Sequence, residues 1–323
     1  MTSSLQAYPG GCYGCYGCYG NQLECCDDCG WNGDAWVGLG YRQDHFRWSI
    51  SGPSGTPDIL SELEWEKLGI IETSCSVWNA FPCGLYYRFG ASFGTILHGK
   101  VTDTDYSGDN RTGIWSKIKG KGDRGRTFDA IGGLGWQFSF CDDGLLIAAL
   151  GGVSTHDQSL HFFHGDILIS TLNPAAVGLI HGLDSKYHAR WYSGWGGIDA
   201  VWQICPEWVL NGVFEYHRAR YRGRGDWNLR EDLDGQFYQK SKGHGLVGKL
   251  GLSYAFSGDW LFMLNLMGQR WEAKGGVDYT RVLVPVFDPA LGGNVLQSVR
   301  LSTPFHEAQW WSYGAMLCIE YRY

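Results

Sequence analysis

The chain has 323 residues, enough for one large domain or two ordinary ones, with 48 glycines, 16 tryptophans and 18 tyrosines against only 9 prolines. A net charge of −7 supplies no basic face, so nucleic acid is not an expected partner. Hydrophobic residues make up 44%, yet no apolar run reaches the length of a membrane-spanning helix, and strands rich in glycine and aromatics favour an all-β protein.

The opening "TSSLQAYPGG" after Met1 has neither a basic start nor an apolar core, so no signal peptide is expected in it. Residues 1–33 then carry six cysteines in "CYGCYGCYG" and "ECCDDC": Cys12, Cys15, Cys18, Cys25, Cys26 and Cys29. Three readings compete for them. CxxCxxC spacing can hold zinc, but a Tyr-Gly repeat does not preorganise a tetrahedral site and the segment has no His, so no metal is expected. Intramolecular disulfides are the second reading, although a total of 11 cysteines leaves at least one thiol over. Cross-linking between molecules by a flexible, Gly-rich tail fits the odd count.

From residue 34 onward, period-two segments read as about ten strands, roughly 34–50, 59–78, 83–100, 127–141, 144–161, 189–205, 208–222, 243–257, 259–275 and 308–323. In the third, Leu85, Tyr87, Phe89, Ala91, Phe93 and Leu97 oppose Arg88, Ser92 and His98. In the fourth, Phe128, Leu134, Trp136, Phe138 and Phe140 oppose Asp129, Gln137 and Ser139. The eighth sets Leu246, Leu250, Leu252, Tyr254 and Phe256 against Lys249 and Ser253. The last runs "SYGAMLCIEYRY", with Tyr313, Ala315, Leu317, Ile319, Tyr321 and Tyr323 on one parity and Glu320 and Arg322 on the other. An apolar face ending in aromatics, backed by charge, suits a strand between lipid and a polar lumen.

Short links occur near 79–82, 142–143, 206–207 and 258–259, and long ones near 101–126, 162–188, 223–242 and 276–307, with a modest one at 51–58. This alternation predicts a closed antiparallel transmembrane β-barrel, long loops at one end, and both termini with the short turns at the periplasmic end. A soluble sandwich is the alternative, but strands of some 14–18 residues are long against a usual ~5–6. The expected lumen set is Arg88, His98, Asp129, Gln137, Lys249, Glu320 and Arg322. A ten-stranded barrel leaves only a narrow path among such side chains.

Cys75, Cys83, Cys141, Cys205 and Cys318 all fall at or near the short-turn ends of their strands. In an oxidising periplasm they are expected within reach of the N-terminal cysteines. "RARYRGRG" (Arg218, Arg220, Arg222, Arg224) would face anionic lipopolysaccharide or line a pore mouth, or form a solvated edge. His161 and His164 in "SLHFFHGD" read as surface residues. "GKGDRGRTF" and "GGLGW" lack the strand-to-helix setting of a phosphate loop, so no cofactor is expected.

Several stretches resemble the omptins, the outer-membrane aspartate/histidine proteases: "LSELEW", "VTDTDY", "QFYQKSKGHGLVGKLGLSYAF", "RWEAKGG" and the terminal "EYRY". The resemblance covers 34–323 at low identity and omits the Cys-rich start. Taken with that start, the chain is similar to the Protochlamydia-type outer membrane proteins of chlamydia-like bacteria, which implies a porin on an omptin-like barrel. The resemblance implies an integral outer-membrane location, contact with outer-membrane lipid and lipopolysaccharide, and disulfide-linked association with itself or other envelope proteins.

Omptin chemistry needs a carboxylate pair and an Asp-x-His dyad. Asp103 and Asp105 match the pair and, two apart on a strand, share a face. The dyad should precede "QFYQKS", but there the chain reads "GDWNLREDLDG", with Asn228 and Arg230 in the matching register and no His. His217, two after Glu215, lies on the preceding strand. A porin-like or structural envelope role is therefore expected, ahead of a rearranged endopeptidase or a surface adhesin.

Overall fold

The computed structural model describes residues 32–140, 144–288 and 293–323. Cys141 and the six cysteines of the first thirty residues lie outside them.

The described residues form twelve strands: β1 (Asn32–Ile50), β2 (Ser61–Ala80), β3 (Leu85–Gly108), β4 (Thr112–Lys121), β5 (Gly125–Phe140), β6 (Leu145–Ser170), β7 (Gly178–Leu179), β8 (Asp184–Cys205), β9 (Trp208–Asp226), β10 (Phe237–Ser257), β11 (Trp260–Asp288) and β12 (Gly293–Arg322). Antiparallel pairing runs β1–β2–β3–β5–β6–β8–β9–β10–β11–β12 and returns from β12 to β1. Short β4 fills the wall between the upper parts of β3 and β6, above β5, which pairs with their lower parts. β4 and β5 are thus two halves of one stave, broken at residues 122–124, where the Gly122 N–H donates to the Gly99 carbonyl at 3.1 Å. The closed ring has ten staves, and closure leaves no open edge around the wall.

Turns at 81–84, 206–207 and 258–259 share an end with the start of β1 and the end of β12, and the connections 51–60, 109–111, 171–183 and 227–236 share the other. The expected long loops are mostly wall. Residues 101–108, 112–121, 162–170, 223–226 and 276–288 continue the strands. At Asp109–Thr112 the chain reverses in four residues, with Asn110 and Arg111 both at positive φ (56° and 60°) in the manner of a type I′ hairpin. Apart from the β4/β5 stave, the staves are strands of 19–30 residues, far beyond the ~9–11 needed to cross a bilayer, so the wall stands well clear of it.

Polarity divides the wall into two levels. In the lower level the outward side chains are apolar: Leu39, Phe93, Leu134, Val153, Ile198, Phe214, Leu250, Leu264 and Leu317 are all exposed. Aromatics border this band on both sides, as with Tyr216 above and Trp208 below on β9, and Tyr313 above and Tyr321 below on β12. Eight residues at ~3.3 Å each, tilted ~40°, span about 20 Å, close to the ~25 Å apolar band of an outer-membrane barrel. Higher up the pattern inverts. Glu62, Glu64, Arg218, Arg220 and Lys242 face outward, while Phe46, Trp65, Trp191, Tyr187, Tyr221, Trp271 and Trp310 pack the interior.

Candidate functional site

The lumen holds two charged clusters inside the lipid-facing level. Arg42 on β1 pairs with Asp44 (3.0 Å), Glu72 on β2 and Asp129 on β5 (2.8 Å). Arg88 on β3 pairs with Asp199 on β8 (2.7 Å) and with Glu215 on β9, and the Tyr86 hydroxyl donates to Asp199 at 2.9 Å. Strand geometry explains both. Residues two apart share a face, so Arg42/Asp44, Tyr86/Arg88 and Glu215/His217 each enter the lumen together. All are buried, which makes mutual pairing obligatory for these charges.

A chain of serine and histidine side chains joins the clusters. His156 Nδ1 lies 2.9 Å from Asp129, and its Nε2 lies 3.1 Å from Ser154 Oγ. Ser154 and Ser193 hydroxyls are 2.7 Å apart. Ser193 Oγ is 2.9 Å from His217 Nδ1, and His217 Nε2 is 2.9 Å from Glu215. Hydroxyls and imidazoles both donate and accept, so hydrogen bonds run unbroken from one side of the barrel to the other. A cavity of about 100 Å³ lies beside it, lined by Arg42, Glu72, Arg88, His156, Glu215 and Lys249.

Aromatic rings cap this network. Trp271 lies 4.5 Å from His156 and 4.7 Å from His217 by ring centroid, and stacks on Trp310 at 5.9 Å and 17°. The Trp310 indole N–H donates to Asp44 at 3.0 Å, and Gln158 donates to the same oxygen at 2.9 Å. Trp65, Trp191, Trp271 and Trp310 are fully buried. Together with Phe46, Tyr187, Tyr221 and Phe305 they occlude the upper lumen.

At the mouth, above the spanning level of β3, Asp103 and Asp105 sit beside Leu63 and Ser61 of β2. Burial holds the Asp103 carboxyl well above the ordinary Asp range, and the charge of Asp105 raises it further. Burial also raises Asp105, against hydrogen bonds from Ser61 and Ser116. The cation acting on both is Arg230 of the 227–236 segment, which also makes a bidentate pair with Asp232 (2.7 Å each). That bond lowers the Asp232 carboxyl. Asn228 accepts from the Asp184 N–H and donates to the Gly182 carbonyl, fastening the segment to β8. No imidazole is among the described groups acting on Asp103 or Asp105.

The sequence profile of Protochlamydia outer membrane proteins matches residues 36–323. The chain belongs to the Protochlamydia outer membrane protein family. No curated protein matches it. Among solved structures, the outer membrane protease OmpT from Escherichia coli matches with a TM-score of 0.68 and 13% identity, over 90% of this chain and 97% of that one. A FadL homologue from Pseudomonas aeruginosa (TM-score 0.30, 10% identity, 90% of each chain) and the attachment protein Ail of Yersinia pestis (0.28, 10%, 90% and 99%) match far less well and carry no argument. OmpT shows the fold alone. Family and fold together place this barrel in the bacterial outer membrane.

For this member of the Protochlamydia family, the structure puts the expected lumen residues in different settings. Arg88 and Asp129 anchor the two clusters, and Lys249 lines the cavity. Glu320 accepts from Ser253 at 3.1 Å, and Arg322 lies 3.5 Å from Asp34, near the terminal end. Gln137 shares the inward parity of Asp129 on β5. His98 does not enter the lumen. A bulge between Ile96 and Val101 turns both Leu97 and His98 outward, where His98 meets the exposed Tyr41 hydroxyl at 3.2 Å. Gly69 makes room for it, since a Cβ there would lie 2.0 Å from His98 Nε2.

The thiols also divide. Cys83 lies exposed in a turn and Cys205 at the end of β8. Cys75 faces outward beside Val37 in the apolar band, and Cys318 is buried in the lumen. Both lie in the lower part of the barrel, a few residues short of the strand ends, one on the outer face and one on the lumen face. Arg218, Arg220, Arg222 and Arg224 point outward, alternating with buried Ala219 and Tyr221, so they do not line a pore mouth. One cluster was unforeseen: His45, Glu64 and Glu66 bring their ligand atoms within 4.8 Å of one another on the outer wall, with His45 3.0 Å from Glu64.

Sequence reading missed Arg42, Glu72, His156, Asp199 and the Ser154–Ser193 link. Their signal was present as charged or hydroxyl residues two apart inside strand segments, in "YRQD", "VSTHD" and "FEYH".

Proposed function

We propose that this protein is a structural barrel of the outer membrane rather than an open porin, held in the envelope by thiol cross-links at its turn end. The observation carrying this reading is the occluded lumen: the aromatic cap lies directly on a paired ionic network. Moving a hydrated solute past would mean unstacking Trp271 and Trp310 and unpairing buried charges, each costly. Among the described residues, Cys83 and Cys205 are the barrel thiols nearest the turn end for the N-terminal cysteines to reach, and that end is taken as periplasmic. Above the apolar band, outward Arg218, Arg220, Arg222 and Lys242 suit anionic lipopolysaccharide headgroups.

An omptin-type endopeptidase is not favoured. A guanidinium stays protonated at all working pH values, so Arg230 neutralises Asp103 and Asp105 but cannot take a proton from water. In planar bilayers the purified protein should carry no steady conductance, whereas Trp271→Ala with Trp310→Ala should open measurable current. A wild-type channel open most of the time would defeat the structural reading.

A further inference from the structure

β11 and β12 outrun the rest of the wall. β10 ends its pairing with β11 at Tyr238–Tyr279, and β1 ends its pairing with β12 at Ile50–Phe305. Beyond these points no other strand of the wall pairs with them, and they pair with each other from Thr280–Leu301 to Asp288–Gly293, a ribbon of about 30 Å at ~3.4 Å per residue. β11 gains three ties to the 227–236 segment: the Asp234 N–H to Arg281, the Leu283 N–H to Asp232, and a bridge between Leu233 and Val282. From Gly293 to Thr303 the other edge of β12 has no backbone partner among the described residues.

The ribbon has two faces. One continues the lumen side and holds Val282, Val284, Val286, Val295, Val299 and Leu301, with Val282 against Val299, Val284 against Gln297 and Val286 against Val295. The other continues the outer wall; it holds Leu283, Pro285, Phe287 and Leu296, and at its base sets Arg281 directly opposite Arg300, whose guanidinium lies 4.2 Å from the Tyr279 ring while Lys240 approaches the same ring at 5.9 Å. Two-stranded ribbons are marginal in water, like charges opposite each other are unfavourable, and an uncovered apolar edge strand is normally paired or blunted. Val286, Leu296, Val299 and Leu301 instead remain exposed.

We propose that the Gly293–Thr303 edge is a docking edge for an extended segment of another polypeptide, added as a strand, with apolar side chains on the valine side and acidic ones over Arg300. Unpaired backbone N–H and C=O groups call for another backbone. On the valine side of the edge Val295, Val299 and Leu301, interrupted by Gln297, call for apolar residues. On the other side Arg300 follows Asn294, Leu296 and Ser298 and sets the sign of the charge over it. A second copy of this chain fits less well, because its own edge offers Asn294, Leu296, Ser298 and Arg300 on that side and no carboxylate.

The probe is a fluorescent eight-residue peptide alternating valine and glutamate, with a valine–lysine peptide as its counterpart. Both are titrated by anisotropy into the reduced, detergent-solubilised full chain. The glutamate peptide should bind saturably and at least about tenfold more tightly than the lysine peptide. Arg300→Glu should reverse that order, and Val299→Lys should abolish binding of the glutamate peptide. Replacing residues 282–299 by a short turn should also abolish it while heat-modifiable migration shows the barrel intact. Absence of binding, equal binding of both peptides, or a preference unmoved by Arg300→Glu would overturn the proposal. So would a dimer in reducing detergent that excludes the peptide, which would assign the edge to a second copy.

Discussion

Ser154 and Ser193 stand opposite one another on β6 and β8 with their hydroxyls 2.7 Å apart, and through this contact the Arg42 and Arg88 clusters form one hydrogen-bonded unit. Each hydroxyl also touches His217 Nδ1, at 3.3 Å and 2.9 Å. Replacing either serine by alanine should cost about 1 kcal/mol, and the double variant should cost less than the sum because the two share one network. Urea unfolding followed by gel mobility measures both; strict additivity would mean that the clusters are energetically separate.

Arg42 is the larger wager. Three carboxylates close on it, and Arg42→Met would leave Asp44, Glu72 and Asp129 without their common cation. A loss of about 3–5 kcal/mol is expected, against well under 1 kcal/mol for Arg230→Met, whose partner Asp232 is exposed. Equal unfolding midpoints for the two variants would contradict the assigned burial.

The mouth carboxylates set a pH slope. Because burial raises Asp103 and Asp105, the folded chain retains protons that an unfolded Asp sheds near pH ~3.9. Stability from this pair is therefore complete below that pH and is lost as pH rises through the raised values. Asp103→Asn with Asp105→Asn should flatten the decline. Arg230→Gln should steepen it, since the guanidinium eases both ionisations. Unfolding free energies between pH 4 and 8 decide; an unchanged slope in the double variant would show that the pair does not titrate in this way.

Thiol access gives a sharper expectation than cysteine number. Non-reducing gels of native membranes should show oligomers that collapse with reductant, and removal of residues 1–30 should abolish them. Cys83→Ser with Cys205→Ser should thin the ladder, whereas Cys75→Ser or Cys318→Ser should leave it unchanged. A ladder that depends on Cys318 would require the lumen to open.

Strand order, closure and the apolar outer face were legible because each depends on period-two alternation, which β3, β5, β10 and β12 display plainly. The lumen was read less well. Along β9, Phe214 and Tyr216 face outward below Arg218 and Arg220, while Glu215 and His217 face inward below Ala219 and Tyr221. Parity never changes there; what changes is the solvent beyond the wall. A reader who takes "polar" to mean "lumen" along a whole strand assigns the lower half correctly and the upper half inside out. His98 failed for another reason: a bulge shifts parity there, and the adjacent Gly99, one of several glycines on β3, does not single the position out. The mouth was half visible: "VTDTDY" marked the carboxylates, but nothing local tied Arg230 to them across more than a hundred residues.

The inversion along β9 also bears on how variation in this chain should be read. A substitution such as Phe214→Arg places a cation against acyl chains, whereas Arg222→Phe places a ring against water. Both positions face outward on one strand, eight residues apart, yet a scale that scores hydrophobic gain as favourable would be right at one and wrong at the other. Tolerance maps of this barrel should therefore be drawn by height before they are drawn by strand.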